Sequence, residues 1–550
     1  MDFMEELLYE AGKKHKDFTK LKMKLCKKHG IQKIPTNIEI LLNAPPDKYH
    51  KLKSLMTKPT RTLSGVAVVA IMTRPAACPH GKCTTCPGGP DSVFGDVPQS
   101  YTGKEPATRR AIRNKFDPYL QVMNRLEQYI GTGHVPEKIE LIIMGGTFPA
   151  RTKAYRESFV TGAFAAMNDF SRMFFPKGEL DLVKFKMFFE LPGDLYDKGR
   201  ERRIEKRLLA LKKKRSLERE HKKNEEAKVR CVSLVIETRP DHAKKRHALE
   251  MLRLGCTKVE LGVQSVYDKA LRSINRGHTV DDSVRATKVL KDLGFKVNYH
   301  MMPGLPGVSL KEDKAALNTL FSDPDFRPDM LKIYPCMVMK GTKLYEVYKK
   351  GKYKPLSTKQ AARLMIDFKQ KVPEYVRIMR VQRDIPTFMT EAGVDMTNLR
   401  QHIKNMMDEK GIRCNCIRCR EVGRRGGKGR IGVKVLWYEA SSGDEFFISA
   451  ENDSLIGFSR MRFPADTLSE SIDKDTALIR ELHVYGEAAS IGEKGKSQHR
   501  GWGKRLLNHA EKLAKQNGKK RIVVISGVGV RGYYRKLGYR RQGPYMVKLL

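Results

Sequence analysis

The chain has 550 residues, of which 106 are lysine or arginine and 62 are aspartate or glutamate, so its formal net charge is +44. This length allows about two to four domains with hydrophobic cores. No apolar run approaches the roughly 18 residues of a membrane span, and the acidic residues 1–6 do not resemble a signal peptide. Composition therefore excludes an integral membrane protein and favours a cytoplasmic protein without membrane contact.

The charge and the cysteines each indicate a class of partner. A protein this basic most often binds a polyanion, and nucleic acid is the expected one; the alternative is a lysine-rich surface that is only solvated. Two tight clusters hold three cysteines each. Such clusters favour metal ligands in a reducing compartment over a disulfide framework.

Residues 1–60 show a helical, lysine-rich pattern with leucine and methionine at the apolar positions. We expect a basic helical module that binds tRNA phosphates, with a solvated cap as the alternative. Its basic residues include Lys13, Lys14, Lys16, Lys20, Lys22, Lys24, Lys27 and Lys28.

Three cysteines follow the short apolar run 65–72 at the spacing C-x4-C-x2-C, namely Cys78, Cys83 and Cys86. Three thiolates can hold three irons of a cubane cluster and leave the fourth iron open to a small molecule. The prolines and glycines of residues 78–90 predict a loop around a metal, neither helix nor strand. On spacing alone, a zinc site completed by His80 is an equal alternative.

From residue 61 to residue 390, apolar strand patterns alternate with amphipathic helices. The predicted strands are 65–72, 139–144, 231–236, 258–263, 296–302 and 330–334, and the helices include 243–254 and 280–293. This alternation predicts parallel βα units in a barrel or partial barrel, with the chemistry at the C-terminal strand ends. The charged run 199–230 predicts one long basic helix inserted into the barrel, which contacts RNA or is solvated.

Residues 391–430 are predicted to form a connector with a second cysteine cluster. The three thiols lie within one short turn, a density that favours a structural zinc over free thiols. The proposed ligands are Cys414, Cys416 and Cys419, with Cys336 and His402 as candidates for the fourth. Residues 423–429 are typical of a glycine-rich linker.

Residues 431–550 change to antiparallel strands, then a glycine-rich turn and an amphipathic helix. The predicted strands are 433–440, 445–449, 455–462, 478–484 and 521–526. A glycine-rich turn that opens a helix directs backbone N–H groups and the helix dipole at a pyrophosphate. The turn contains Gln498, Arg500, Gly501, Trp502, Gly503 and Lys504, and the helix spans 505–516.

Long motifs in this chain resemble a known family. Residues 66–345 resemble a radical S-adenosylmethionine (SAM) core, and the motifs at 86–92, 99–103, 144–148, 236–241, 260–267 and 275–280 resemble the catalytic subunit of Elongator and its archaeal relatives. Residues 431–550 resemble a GCN5-related N-acetyltransferase domain. The resemblance implies an α/β fold class: a radical SAM partial (β/α) barrel followed by that domain. The C-x4-C spacing is shorter than in eukaryotic members but keeps all three ligands.

The resemblance also implies cofactors and site residues. Cys78, Cys83 and Cys86 would hold a [4Fe-4S] cluster that binds SAM. Tyr534, with Tyr533 beside it, would lie near the thioester sulfur of acetyl-CoA; the alternative is a pair of core tyrosines. Other positions that match acetyl-CoA contacts are Lys138, Glu481, Leu482, His483, Val484, Trp502, Gly503 and Lys504.

The function implied by the resemblance is a radical SAM-dependent acyltransferase that installs a carboxymethyl group on C5 of the tRNA wobble uridine. Its partners would be tRNA and an electron donor; a homodimer is left open, and no sequence feature requires accessory subunits. One alternative is a protein lysine acetyltransferase with a structural iron–sulfur domain. Another is a non-catalytic RNA-binding scaffold.

Overall fold

The computed structural model describes residues 2–11, 13, 17–32, 34–45, 55, 65–193, 197–485 and 501–550. No helix in these ranges is long and apolar enough to cross a bilayer. The described elements form three units: a group of N-terminal helices, a half-barrel of parallel strands and a second, mostly antiparallel sheet. This α/β architecture is the predicted fold class.

The strands and helices are numbered in chain order. The strands are β1 (Val66–Met72), β2 (Gly89–Ser92), β3 (Gly95–Val97), β4 (Lys138–Met144), β5 (Arg230–Thr238), β6 (Cys256–Gln264), β7 (Lys296–Met301), β8 (Met330–Ile333), β9 (Arg377–Arg380), β10 (Gly432–Ala440), β11 (Gly443–Glu451), β12 (Leu455–Phe463), β13 (Thr476–Val484), β14 (Arg521–Val524), β15 (Arg540–Gln542) and β16 (Tyr545–Leu549). The α-helices are α1 (Phe3–Ala11), α2 (Phe18–Lys28), α3 (Asn37–Asn43), α4 (Pro106–Arg113), α5 (Pro118–Gly131), α6 (Lys153–Phe174), α7 (Leu182–Phe188), α8 (Lys198–Leu211), α9 (Leu217–Asn224), α10 (Lys245–Arg253), α11 (Asp268–Ser273), α12 (Val280–Asp292), α13 (Leu310–Ser322), α14 (Lys343–Lys349), α15 (Thr358–Lys371), α16 (Leu399–Glu409), α17 (Ile417–Arg420), α18 (Val422–Arg425), α19 (Trp502–Gln516) and α20 (Arg531–Arg535).

The N-terminal helices α1, α2 and α3 pack around an apolar cluster of their own. Lys22 was predicted as part of the exposed basic face, and this is wrong. Its side chain is buried and donates hydrogen bonds to the Pro35 carbonyl oxygen at 3.1 Å and to Asn37 Oδ1 at 3.0 Å. An ammonium group held in this way ties α2 to the segment before α3 and is not free to contact a phosphate.

The half-barrel has the strand order β1-β4-β5-β6-β7-β8-β9, and every neighbouring pair is parallel. Side chains alternate along β4: Ile139, Leu141 and Ile143 are fully buried against the helices outside. Burial of each such side chain stabilises the fold by about 1.5–3 kcal/mol. The six predicted strands are confirmed, whereas the short strand β9 was not predicted.

Two predictions within the barrel segment are wrong. Residues 78–90 do not end as a loop, because Gly89 and Pro90 belong to β2, which pairs with β3 in a small hairpin. The charged run 199–230 is two helices, α8 and α9. The first helix ends at Leu211, because Lys212 has extended backbone with ψ 111°. Ser216 caps α9 by accepting the Arg219 N–H, and between the two helices Arg215 pairs with Asp169 at 2.6 Å.

The second sheet has the order β10-β11-β12-β13-β14-β16-β15, with β13 and β14 its parallel pair. These two strands pair only between Thr476–Ile479 and residues 521–524. Beyond Ile479 they separate, which leaves one edge of residues 481–484 without a strand partner on the β14 side. The predicted linker 423–429 is wrong at its start, since residues 423–425 belong to α18.

The second sheet packs on the N-terminal ends of the barrel strands. Gly527 lies so close to β5 that a Cβ atom there would be 2.0 Å from the Val232 carbonyl oxygen. Arg480 binds Asp329, the residue before β8, at 2.6 Å. Because both contacts lie where barrel strands begin, the second domain closes that end, opposite the predicted metal loop.

Candidate functional site

The first cysteine cluster lies on the loop that follows β1, at the C-terminal end of the barrel. The Ser100 N–H donates to Cys86 Sγ at 3.2 Å, and the Arg276 guanidinium lies 3.7 Å from Cys83 Sγ. Burial raises the pKa of the thiols of Cys78 and Cys86. A bound metal would remove these protons, because coordination stabilises the thiolate.

The spacing of the sulfur atoms separates a cubane from a zinc site. Among the described residues, two groups have all ligand atoms within 4.8 Å of one another, and the Cys78–Cys83–Cys86 loop is not one of them. A single zinc with bonds of about 2.3 Å cannot reach sulfurs spread more widely than that. His80, the candidate fourth zinc ligand, lies beside one of these cysteines, with Nε2 3.1 Å from Cys83 Sγ. The wider loop therefore fits a multinuclear cluster better than zinc.

Polar side chains meet at the same mouth of the barrel. His300 Nε2 lies 2.8 Å from Glu260 Oε2, and Lys332 contacts the same carboxylate and lies 3.4 Å from Glu237. Burial opposes ionisation of Glu260, but Lys332 and His300 outweigh it and hold the pKa of that carboxyl well below its usual value. The group is thus a fixed set of charges beside the cysteine loop, suited to orienting a polar ligand.

Sequence reasoning did not single out several residues of this mouth. Arg276 was quoted within a motif but given no role, and Glu260, His300 and Lys332 were treated as strand residues. One signal was available: β6 carries Lys258 and Glu260 at alternate positions, next to the apolar residues Val259, Leu261 and Val263. Charges at inward positions of a buried strand indicate an interior that is not an apolar core.

The predicted acetyl-CoA turn is found at the start of α19. Gly501 has φ +79° and precedes the first turn of the helix, where the backbone N–H groups have no partner within the helix. Trp502 is buried beneath Arg505, whose guanidinium lies 4.9 Å from the indole ring. A Cβ on Gly503 would lie 3.0 Å from the Tyr533 hydroxyl oxygen, so α19 approaches this side chain closely. Such a turn is suited to a pyrophosphate.

The two predicted tyrosines differ in burial. Tyr534 is 6% exposed within the core of the second domain, whereas Tyr533 is 40% exposed. Burial raises the pKa of both hydroxyl groups. Each therefore keeps its proton at neutral pH and can donate a hydrogen bond to a developing negative charge.

One cavity of about 1960 Å³ reaches both sites. The predicted site residues that line it are Cys78, Cys83, Cys86, Lys138, Glu481, Leu482, His483, Val484, Gly501, Trp502, Gly503, Lys504, Tyr533 and Tyr534. Gln498 and Arg500 lie outside the described residues. The fold thus brings together two motifs that are more than 400 residues apart in the sequence.

Comparison with known proteins places the chain in a family. Residues 75–320 match the Radical SAM superfamily, 328–409 the Radical_SAM C-terminal domain, 2–63 the ELP3 N-terminal domain and 425–539 the acetyltransferase (GNAT) family. A protein of Methanocaldococcus infernus named tRNA uridine(34) acetyltransferase is 47% identical over 94% of this chain and 92% of its own length. The chain belongs to the Elongator complex protein 3 family.

Other relatives agree with this assignment. Human Elongator complex protein 3 is 39% identical over 100% of this chain and 96% of its own length. The solved structure of archaeal Methanocaldococcus infernus Elp3 with an N-terminal deletion superposes with a TM-score of 0.72 at 41% identity, covering 89% of this chain and 100% of that one. The Radical SAM and GNAT domains of this family member imply SAM, an iron–sulfur cluster and acetyl-CoA as its cofactors.

The second cysteine cluster of this family member is compact. The sulfur atoms of Cys414, Cys416 and Cys419 lie within 4.8 Å of one another, a spacing that a single zinc ion can bridge. Lys369 Nζ lies 3.8 Å from Cys419 Sγ and favours thiolates electrostatically. Cys336 was predicted as a possible fourth ligand, and this is wrong, because it is buried in a different apolar cluster. His402, the other candidate, does not belong to the group of ligand atoms that lie within 4.8 Å of one another.

Proposed function

We propose that this protein modifies tRNA by joining a two-carbon unit from acetyl-CoA to C5 of the wobble uridine, which leaves a carboxymethyl group. Relatives named tRNA uridine(34) acetyltransferase support the substrate. The observation that carries the proposal is the single cavity lined by the cysteine loop and by the acetyl-CoA turn. Mass spectrometry of nucleosides from tRNA incubated with the complete enzyme tests it directly.

Each half of the cavity has a separate task. Cys78, Cys83 and Cys86 would hold the cluster, which, given an electron donor, cleaves SAM to a radical able to remove hydrogen from a methyl group. At the other end, the free N–H groups of α19 with Lys504 would hold the pyrophosphate of coenzyme A. The unpaired edge of residues 481–484 would accept the pantetheine amides, as an additional strand does.

A protein lysine acetyltransferase is the second candidate and accounts for less of the structure. It needs a cleft open to a peptide, whereas residues 481–484 face the interior of a barrel lined by ionised side chains. A lysine acetyltransferase would also leave Arg276 and the charged side chains around Glu260 without a role. Nucleoside analysis separates the two functions, because only the tRNA enzyme yields a modified uridine.

Replacing Tyr534 with phenylalanine should slow coenzyme A release and tRNA modification together. The Tyr534 hydroxyl would donate a hydrogen bond to the charge that develops as the thioester breaks, and loss of one such donor typically costs about 100-fold in rate. Formation of 5′-deoxyadenosine from SAM should persist, because Tyr534 is remote from the cysteine loop. Tyr533→Phe is the matched control with a smaller expected effect; equal losses in both variants would contradict the assigned role of Tyr534.

We propose that the N-terminal helices bind tRNA through exposed lysines, which do not include the buried Lys22. Lys20, Lys24 and Lys27 are exposed on α2, and replacing all three with glutamine should weaken tRNA binding. For every phosphate that a lysine no longer neutralises, the slope of log K against log salt should flatten by about 0.7–0.9. Titrations at several salt concentrations measure this.

The control for that experiment replaces Lys512, Lys515 and Lys520, which are exposed on the second domain. This variant removes the same charge from a surface outside the proposed contact. If both triple variants flatten the slope equally, the tRNA responds to net charge and not to α2.

We also infer that Cys414, Cys416 and Cys419 bind a structural zinc, with the fourth ligand unassigned. The compact spacing of their sulfur atoms supports this. The segment has few apolar side chains of its own, and a metal would hold α17 against β9, where the Ile417 N–H already donates to the Val376 carbonyl oxygen.

A further inference from the structure

Four neighbouring strands of the half-barrel place ionisable side chains in one layer at the end that carries the cysteine loop. The strand registers set Glu237 of β5 beside Glu260 of β6, and His300 of β7 beside Lys332 of β8. Glu237, His300 and Lys332 are each the second-to-last residue of their strand, and all four line the cavity. In parallel (β/α) barrels, the C-terminal ends of several strands supply the groups that hold a substrate. We call these four residues the charged layer.

The charged layer lies against the segment that contacts the cysteine loop. The Ser100 N–H donates to Cys86 Sγ at 3.2 Å, and the next residue along the chain is Tyr101. The Tyr101 hydroxyl donates to a carboxylate oxygen of Glu237 at 3.3 Å. A ligand held by Glu237 therefore lies next to the loop at which the radical is proposed to form.

The two carboxylates of the charged layer differ in what they can still bind. Glu260 is buried, and its Oε2 contacts both His300, at 2.8 Å, and Lys332. The side chain of Glu237 is 16% exposed, and its contacts to Tyr101 and Lys332 are long, at 3.3 and 3.4 Å. A carboxylate has about four acceptor positions, and an ammonium has three donors. Among the described residues, Glu237 thus keeps acceptor positions and Lys332 keeps a donor for a ligand in the cavity.

These free positions select the kind of ligand. The ligand atoms of Glu237, Glu260 and His300 lie within 4.8 Å of one another, a spacing that a metal ion could bridge. Lys332 contacts both carboxylates, however, so a divalent cation would have to displace its ammonium. A neutral ligand with a donor and an acceptor side by side would pair with Glu237 and Lys332 as they stand. Uracil has such a pair at N3–H and O4 on its Watson–Crick edge.

We propose that Glu237 and Lys332 bind the Watson–Crick edge of the wobble uracil: Glu237 accepts the N3–H and Lys332 donates to O4. This inference rests on the proposed function and assigns the residues that hold the reacting base. C5 is bonded to the carbon that carries O4, so a base held at N3 and O4 presents C5 at a fixed place beside the cysteine loop. A site built in this way rejects a base without the N3–H, because the Glu237 carboxylate then loses its partner.

A synthetic anticodon stem–loop with 3-methyluridine at the wobble position tests this contact. The methyl group replaces the N3 hydrogen and leaves O4 and C5 unchanged. The full-length protein, with its cluster but without SAM or acetyl-CoA, should bind the uridine stem–loop roughly ten- to hundredfold more tightly than the methylated one. This is the usual effect of a lost hydrogen bond to a charged group. Competition binding at one salt concentration measures the ratio, because both RNAs carry the same phosphate charge.

Variants of Glu237 assign the preference to this carboxylate. Glu237→Ala should abolish it, because the substitution removes the acceptor and opens space for the methyl group. Glu237→Gln keeps an acceptor oxygen at the same position and should retain a preference for uridine. The matched control is Glu140→Gln, which neutralises another carboxylate of the same cavity, one that pairs with Lys258 at 2.9 Å. The control should keep the wild-type ratio.

The outcomes separate this inference from the proposed function. Equal binding of the two stem–loops by the wild-type protein would overturn the uracil contact, and that comparison needs no variant. A preference that persists in Glu237→Ala, or that Glu140→Gln loses to the same extent, would overturn it as well; weaker SAM binding by a Glu237→Ala protein that keeps the preference would assign the carboxylate to SAM. If the wild-type protein prefers uridine through Glu237 but makes no carboxymethyluridine, the contact stands and the proposed function fails.

Discussion

Replacing Cys83 with serine is expected to abolish uridine modification while coenzyme A release continues. Cys83 is 8% exposed and contacts His80 and Arg276, so the smaller hydroxyl fits the same space. Serine is a poor ligand for iron, and a cubane held by three thiolates should not survive the loss of one. Thioester hydrolysis needs no radical and should persist. Iron content, 5′-deoxyadenosine and modified uridine are the quantities to measure.

The second cysteine cluster supplies the matched control. Cys416→Ser also removes one buried thiol, but it should lower the zinc content and leave the iron content and 5′-deoxyadenosine formation intact. If the Cys83→Ser protein still made the modified uridine, the radical half of the proposal would be wrong. The uridine would then be modified by chemistry that does not need the iron–sulfur cluster.

Replacing Asp329 with alanine should lower the free energy of unfolding by roughly 3–5 kcal/mol, the usual cost of removing one partner of a buried ion pair. Asp329 is fully buried and binds Arg480 through both carboxylate oxygens at 2.6 and 2.8 Å. Arg460 lies 3.6 Å from the same carboxylate. Without Asp329, both guanidinium groups lose a counter-charge inside the domain interface. Urea unfolding measures the change.

The acid dependence of this ion pair has a definite sign. Burial opposes ionisation of Asp329, but Arg480 and Arg460 outweigh it, so the pKa of the carboxyl in the folded protein is far below its ordinary value. Asp329 therefore stabilises the fold above pH about 4, and this contribution is lost as the pH falls towards the folded-state pKa. The exposed Asp325, four residues earlier, provides the control Asp325→Ala. Equal stability of the two variants would show that the pair has no net effect.

Local patterns predicted most elements of both sheets. The strand at 139–144 was predictable from its short apolar run, which reflects the burial of alternate side chains. The turn at Gly501 was predictable because glycine accepts a positive φ before a helix. The cysteine spacings predicted two candidate metal loops, since a loop can surround a metal with residues close in sequence. The charged run 199–230 was mispredicted because the chain turns at Lys212, where Arg215 can reach Asp169 on another helix.

The sequence by itself determined the family and the two candidate half-sites, because each motif is local and its chemistry depends on residues a few positions apart. The tertiary structure alone decided that the two half-sites line one cavity. That arrangement depends on contacts such as Arg480 to Asp329, which are 151 residues apart in the chain. Arg480 points at the barrel because it is the extra residue of a bulge: Arg460 pairs with Glu481, but Met461 pairs with Ile479. Periodicity reports which face of a strand is buried, and it carries no information on which end another domain covers.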